Sequence, residues 1–409
     1  MNAASYRAVR IHKQAGQLTI GLEQLPLPSQ CAADQVLLRV HYSSINFKDI
    51  MSCQGNPAVT RRFPHTPGID AAGVVVQSSD PRYPVGTEVL VCCRAMGMQH
   101  PGGFAEYVQV PSHWLEPKPP GFSLRDCMVL GTAGFTAALA VDAWVQHQQR
   151  HAADLAAIDW SRQHVAVTGV TGGVGLLAAL MLRQLGVQVT ALVGSATLAQ
   201  LQQPSASSEP ASSAQASTAA LCTAPAQTTP VQTTQTQTAA TYQEPRRTQA
   251  PLFPQTATVL HALGVQHWQD RDALCAASLQ NLAPSCYDGV IDVAGGPLLA
   301  ALIKQLQPHG IALATGMVAD TALPLNVLPF ILRGVTLQGI NAESTSEAER
   351  AALWQRLRQH YLPADLTPFY QKVTLAQLPA LLTDLQQGHP RAAGRVLVDC
   401  QSATGASDV

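Results

Sequence analysis

The run from His164 to Gly175, His-Val-Ala-Val-Thr-Gly-Val-Thr-Gly-Gly-Val-Gly, constrains this chain more than any other stretch. An apolar strand, His164–Thr168, enters a glycine turn that opens an apolar helix, Leu176–Leu185, and a second strand, Val187–Val193, follows at once. Strand, glycine turn, helix and strand make the βαβ unit that seats a pyrophosphate on a helix N-terminus. Gly169, Gly172 and Gly175 recur at every third position, giving G-x-x-G-x-x-G in place of the commoner G-x-G-x-x-G. Three glycines alone would fit any tight turn; the flanking strand and helix favour dinucleotide binding.

The rest of the chain must supply a fold around that unit. At 409 residues it is long enough for two domains with cores of their own. Charged residues make up only 12 % and the formal net charge is −1, with no basic block, so neither nucleic acid nor an anionic membrane surface is expected as a partner. The apolar runs read as shorter than a membrane span, and Met1–Lys13 lacks a signal-peptide core, so a cytoplasmic protein is expected. Nine scattered cysteines without a C-x-x-C pair argue against a disulfide framework or a zinc knuckle and read mostly as small buried hydrophobes.

Residues 1–128 read as short strands, Tyr6–His12, Leu18–Leu25, Gln35–Ser43, Gly73–Gln77, Glu88–Cys92 and Ala105–Val110, punctuated by proline and glycine. This spacing predicts a small irregular β-barrel or sandwich, with Val36, Leu38 and Val40 on a buried face. From 129 to 361 the texture is α/β. An Ala-rich helix over Gly131–Val145 precedes the glycine turn. Strands at Gly289–Val293, Ile311–Thr315 and Val335–Gln338 then alternate with helices at Leu298–Leu306 and Glu347–His360, predicting a doubly wound parallel sheet. Residues 362–409 return to the first domain with a helix, Leu375–Gln386, a closing strand, Gly394–Asp399, and a tail. The stretch 196–256, rich in Ser, Thr, Gln, Ala and Pro, is read as a disordered insertion ahead of a helix at Val259–Leu263. It is taken as a tolerated surface insertion, with a partner-binding loop as the alternative.

Three motifs carry a family resemblance. Ser43-Ser44-Ile45-Asn46-Phe47-Lys48-Asp49, Pro67-Gly68-Ile69-Asp70 and Gly131-Thr132-Ala133-Gly134-Phe135-Thr136-Ala137 resemble the zinc-less quinone reductase branch of the medium-chain dehydrogenase/reductase superfamily. The run Leu328 to Gly339, Leu-Pro-Phe-Ile-Leu-Arg-Gly-Val-Thr-Leu-Gln-Gly, is similar to the NADPH-dependent acrylyl-CoA reductase family. The resemblance implies a GroES-like irregular β-barrel catalytic domain plus a Rossmann domain, and a homodimer. The implied activity is hydride transfer from NADPH to the β-carbon of a short enoyl-CoA.

Residue chemistry agrees that a metal is not expected. A catalytic zinc of the alcohol dehydrogenase kind needs a thiolate and an imidazole, whereas Ser43 or Ser44 stands at the first position and Gly68-Ile69-Asp70 at the Gly-His-Glu site. Without a Lewis acid to polarise a carbonyl, an alkene conjugated to one is the better hydride acceptor. The family tyrosine beside the nicotinamide is replaced by Phe47, which can stack but cannot donate a proton, so no catalytic acid is named. Thr132 is read as orienting the nicotinamide, capping its helix, or both.

The resemblance assigns the cofactor to Asn46, Phe47, Thr132, Thr171, Gly172, Gly173, Val174, Val193, Gly194, Ser195, Arg271, Met317 and Ile331. Val193-Gly194-Ser195 carries no carboxylate at the end of the second strand, which removes repulsion against a 2′-phosphate. Ser195 replaces an arginine of the family, while Arg271 matches a second one. NADPH is therefore the expected cofactor. Arg61, Arg62 and Arg333 are candidates for a basic rim that would favour a CoA thioester over a free quinone or enone. An alternative of another class is a nucleotide-binding interaction protein with weak catalysis.

Overall fold

Alternating apolar residues in the first part of the chain pair off as antiparallel strands. The computed structural model describes residues 4–152, 158–202, 256–265, 267–277, 281–387 and 393–402. β1 (Ser5–Gln14) and β2 (Gln17–Pro26) form a hairpin whose turn, Ala15-Gly16, takes positive φ at both residues, as a tight two-residue loop requires. β3 (Gln35–Ser44) leads through Asn46 into α1 (Phe47–Cys53), then β4 (Ala71–Ser78), β5 (Glu88–Val91), β6 (Tyr107–Pro111) and the two-residue β7 (Glu116–Pro117). Val36, Leu38 and Val40 are fully buried as their alternation predicts, but Leu37 is buried too. A helix packed against this strand covers its second face.

That helix is α2 (Leu124–His151), longer at both ends than the Ala-rich pattern indicated. It starts earlier because Ser123 caps it, the Ser123 hydroxyl accepting from the Asp126 amide at 3.1 Å. It is also broken at Gly131, where φ is 53° and ψ −153°. Contrary to the expectation that apolar runs fall short, α2 is long and apolar enough to cross a membrane. Its most apolar stretch, however, is 78 % buried inside the protein, as a core helix would be.

The glycine-turn unit then builds the second sheet. β8 (His164–Thr168), α3 (Gly173–Gln184), β9 (Gln188–Val193) and α4 (Ser195–Leu201) are followed by α5 (Thr256–Ala262), β10 (His267–Asp270) and α6 (Arg271–Ala276). β11 (Tyr287–Asp292), α7 (Gly296–Ile303), β12 (Leu306–Ala314), α8 (Leu328–Arg333), β13 (Thr336–Gly339) and α9 (Glu347–Arg356) complete it. The strand order β10-β9-β8-β11-β12-β13, parallel throughout, is the doubly wound order with its switch point between β8 and β11. α7 begins at Gly296, ahead of the expected start at Leu298, because Pro297 suits a first helical turn. It also ends sooner than expected: Lys304 caps it, and Leu306 already opens β12.

β14 (Tyr370–Thr374), α10 (Leu378–Gln386) and β15 (Arg395–Asp399) return the chain to the first sheet, whose order is β14-β15-β3-β4-β5-β7 with β6 alongside β3. The fold is α/β, a doubly wound parallel sheet beside a barrel-like, mainly antiparallel one. Of the 196–256 stretch, Ala196–Leu201 are helical in α4 and Thr256 opens α5, which corrects both edges of the proposed insertion; 203–255 lie outside the described residues, as does the tail 403–409. Of the described cysteines, Cys53, Cys92, Cys93, Cys127 and Cys400 are buried free thiols, while Cys286 is disulfide-bonded, unlike the free thiols expected.

Candidate functional site

The glycine turn owes its shape to close backbone packing. A Cβ on Gly175 would lie 2.4 Å from the carbonyl oxygens of Thr168 and Gly169, and one on Gly169, at φ +65°, 2.2 Å from Val293 Cγ2. The Gly172 amide donates to the Gly169 carbonyl at 2.8 Å, which closes the turn and aims the chain into α3. The first amides of that helix, at Gly173 and Val174, have no carbonyl a turn earlier to pair with, and the helix dipole adds positive potential there. Thr171, Gly172, Gly173 and Val174 are thus brought together as a seat for an anion such as a pyrophosphate.

The underside of this turn rests on a buried polar cluster. A Cβ on Gly173 would meet Arg395 Nη1 at 2.8 Å and the Ala133 methyl at 3.0 Å. Arg395, from β15, is only 1 % exposed and donates from Nε to the Val129 carbonyl (3.0 Å), from Nη1 to the Ile45 carbonyl (3.0 Å) and Asn46 Oδ1 (3.3 Å), and from Nη2 to Ser44 Oγ (2.8 Å). Its counter-ion, Asp70, is fully buried, with Oδ2 4.0 Å from Nη2. Asp70 accepts from the Ser44 hydroxyl (2.7 Å), the Asn46 amide group (2.8 Å), and the Thr132 hydroxyl (2.6 Å) and backbone amide (3.0 Å). A carboxylate at the start of the helical segment resumed after Gly131 also meets the positive end of its dipole. Burial pushes the Arg395 pKa down, opposed by the charges of Asp70 and Asp49.

This geometry decides what two of the predicted residues do. Asn46 and Thr132 both belong to the cluster, and their donors are already engaged: the Asn46 side chain bonds Asp70, the Ser44 carbonyl and Arg395, and the Thr132 hydroxyl donates to Asp70 while accepting from the Cys93 amide at 2.8 Å. Both therefore shape the wall; in this arrangement neither offers a free donor to a ligand. Gly131 is indispensable to the contact, since a Cβ there would lie 2.3 Å from Asp70 Oδ2. Beside them Asp49 is buried, its carboxylate accepting from the amides of Asn46 (2.8 Å), Gly68 (3.0 Å) and Ile69 (2.9 Å). Burial raises its pKa to about 7, against those amides and with help from the Asp70 charge. Phe47, next to Asn46, projects into solvent, 52 % exposed.

Ser44, Asp70, Gly131 and Arg395 are site residues that motif reading left unassigned. Asp70 and Gly131 lie within the quoted motifs, whereas Arg395, 351 positions beyond Ser44 in the chain, carries no local signal. Among the described residues no group of three or more His, Cys, Asp or Glu is placed to hold a metal ion.

At the head of the parallel sheet, the Thr168 hydroxyl donates to Asp292 Oδ1 (2.7 Å) and accepts from the Val293 amide (2.9 Å), while Asp292 Oδ2 receives the Gly295 amide (2.6 Å). Met317 comes close here: its Cα is 3.3 Å from where a Gly295 Cβ would stand, and its side chain is 68 % exposed. Ile331 is not brought to this end. It sits exposed on α8 with Leu332, and the last residue of α8, Arg333, donates to the carbonyls of Lys304, Leu306 and Ala283, at the opposite end of the strands, where β12 begins. Arg333 is thereby removed from any basic rim at the cleft.

At the end of β9, Val193 is buried and Gly194-Ser195 turn into α4. Arg271 does reach this junction, its Nη2 3.3 Å from the position of a Gly194 Cβ. So does Asp272, whose Oδ2 accepts from the Ser195 amide at 3.0 Å and faces its hydroxyl at 3.3 Å. The carboxylate that the sequence lacks at the strand end is supplied by α6, which corrects the expectation of a carboxylate-free junction. A separate groove, lined by Lys118, Trp354 and Arg358 among others, shares no residue with this site.

A switch-point glycine turn, backed by a buried Arg–Asp cluster from a second, barrel-like sheet, defines a dinucleotide-type oxidoreductase. The comparisons agree. Residues 32–120 match the alcohol dehydrogenase GroES-like domain. The chain is 32 % identical to the putative quinone oxidoreductase YhfP of Bacillus subtilis over 96 % of this chain and 98 % of that protein, and the solved structure of yhfP with NAD bound superposes with a TM-score of 0.75. It is 30 % identical to the acrylyl-CoA reductase AcuI of Ruegeria pomeroyi, covering 95 % and 96 % of the two chains. The yhdH oxidoreductase of Salmonella enterica, solved in complex with NADP, matches at a TM-score of 0.74 and 30 % identity over 96 % of this chain and 99 % of that one. The chain belongs to the medium-chain dehydrogenase/reductase superfamily, with the quinone oxidoreductases and acrylyl-CoA reductases.

Proposed function

We propose that the protein is an NADPH-dependent reductase of short α,β-unsaturated acyl-CoA thioesters, of the acrylyl-CoA to propanoyl-CoA type, working in the cytoplasm. In this reading residues 1–128 and 362–409 form the catalytic unit and 129–361 the nucleotide unit. The observation that carries it is the direct packing of Arg395 and Ala133 beneath Gly173, which sets the pyrophosphate-type turn against the loop that presents Phe47. The residues fit the cofactor: glycines leave room where a Cβ would clash, the first amides of α3 are unpaired, and Arg271 stands at the adenosine end. Relatives described as binding NADP and as reducing acrylyl-CoA support the same reading.

When bound, the reduced dinucleotide supplies a hydride. Thr171 to Val174 would hold its pyrophosphate, Phe47 and Met317 offer apolar surface for the nicotinamide, and Arg271 faces the ribose end. Ser44, Asn46, Asp70, Thr132 and Arg395 keep the wall rigid, because each polar group is already held by another. The substrate gains hydride at its β-carbon and a proton at its α-carbon, and its conjugated carbonyl delocalises the charge between the two events. Phe47 has no proton to give, so the proton comes from water or from the bound molecules.

The test is oxidation of NADPH, with NADH in parallel, against acryloyl-CoA and a simple quinone, with propanoyl-CoA followed by mass spectrometry. Turnover of acryloyl-CoA to propanoyl-CoA supports the reading. Oxidation with the quinone alone moves the function to quinone or enone reduction, which the YhfP relative favours. Cofactor binding without any turnover makes the chain a nucleotide-binding interaction module. We also propose a homodimer joined along β13, the edge strand of the parallel sheet, where Leu337 is exposed and follows the exposed Val327, Ile331 and Leu332 in the chain. A monomeric mass in light scattering would exclude it.

A further inference from the structure

We infer that Asp272 sets the discrimination at the ribose 2′ position, by competing with a 2′-phosphate for the Ser195 amide and hydroxyl and so lowering the preference for NADPH over NADH. This rests on the dinucleotide reading above. In doubly wound folds the groups at the end of the second strand decide between ribose hydroxyls, held by a carboxylate, and a 2′-phosphate, held by an arginine. Here that strand is β9, and the two kinds of group arrive side by side from α6. Asp272 Oδ2 is 3.0 Å from the Ser195 amide nitrogen, and its Oδ1 is 3.1 Å from Arg271 Nε. The guanidinium at the junction is thus already ion-paired with a neighbouring carboxylate.

The local charge count runs the same way. Asp270, which caps α6, adds a second carboxylate beside a single arginine. The pKa values of both acids are lowered, Asp272 chiefly by the Ser195 amide and the Arg271 side chain, Asp270 chiefly by the Ser195 hydroxyl, so both are ionised at neutral pH. A dianionic phosphate entering here meets one engaged cation and must displace Asp272 from Ser195. A ribose diol instead meets an acceptor it can donate to. Arg271 and Asp272 are both 55 % exposed at the side chain, so solvent screens the interaction and the effect is a modulation of selectivity, not an exclusion of either cofactor.

The experiment uses the full chain and two fragments that differ only at the 2′ position, adenosine 2′,5′-bisphosphate and adenosine 5′-monophosphate, titrated by calorimetry into wild type, Asp272→Asn and Asp272→Ser. The expected result is about tenfold tighter binding of the bisphosphate in both variants, with the monophosphate unchanged or weakened, and a gain that shrinks at high salt. An unchanged ratio of the two affinities in both variants overturns the inference while leaving the dinucleotide reading intact. If folded wild type binds neither fragment, that reading falls and takes the inference with it.

Discussion

The two ends of the candidate cofactor groove are built on opposite principles. At the inner end Arg395 and Asp70 are withdrawn from solvent, and five partners fix their orientation. At the outer end Arg271 and Asp272 form an exposed ion pair between neighbours on one short helix. A buried pair is costly to assemble and costlier to break, because removing one partner leaves the other charge without solvent or counter-ion. An exposed pair is worth about 0–1 kcal/mol and rearranges freely. The difference teaches where such a fold holds its geometry constant and where it can adjust selectivity without endangering the core.

The sharpest way to break that comparison is Arg395→Met. It strands the Asp70 charge and leaves the Val129 and Ile45 carbonyls without their donor, so we expect a loss of about 3–5 kcal/mol in urea denaturation. A stability within error of wild type would mean the inner cluster is not what holds the two sheets together.

The next effect is read in pH. The pKa of Asp49 is higher in the folded protein, about 7, than the usual carboxylate value of 3.8, so the native state binds its proton more tightly than the unfolded chain. The contribution of this group is complete below the unfolded value and declines as pH rises through the folded one. At about 1.4 kcal/mol per pH unit the slope is measurable. Wild type should therefore lose stability from this source between about pH 4 and 7, and Asp49→Asn should flatten that part of a midpoint-against-pH curve; parallel curves for the two proteins would count against it.

Gly131→Ala comes third. It combines a left-handed φ with a methyl 2.3 Å from Asp70 Oδ2, at a cost of about 1–3 kcal/mol in backbone strain alone, and should depress turnover more than fragment binding at the outer end. Equal losses of both would erase the distinction between the ends. Smallest is Arg271→Ala, expected to change stability by no more than about 1 kcal/mol while weakening the bisphosphate fragment specifically. A large drop in its denaturation midpoint would show that the outer pair is structural after all.

Much of the architecture could be read from local pattern. Short apolar runs between prolines and glycines marked β1 to β6, with period-two alternation in β3 at Val36, Leu38 and Val40, and the turn from Gly169 to Gly175 named its own strand and helix, because these signals depend on residues within one or two turns of each other. β10 and α6 were missed because His267–Asp270 is too short to show a period, and the helical Ala196–Leu201 was masked by the polar composition that follows it.

The sequence by itself determined the glycine turn and the parallel order of elements around it, together with the absence of the alcohol dehydrogenase zinc ligands from their usual positions. Only the tertiary structure decided that Asn46 and Thr132 are held inside a buried cluster, that Arg395 closes it, that Arg333 is bound at the end of the sheet where β12 begins, and that Asp272 stands at Ser195. Local motifs are written in consecutive residues, where steric and helical rules act over a few bonds. An ion pair or a hydrogen bond between chain positions 77 or 351 residues apart exists only once packing has set both ends in place.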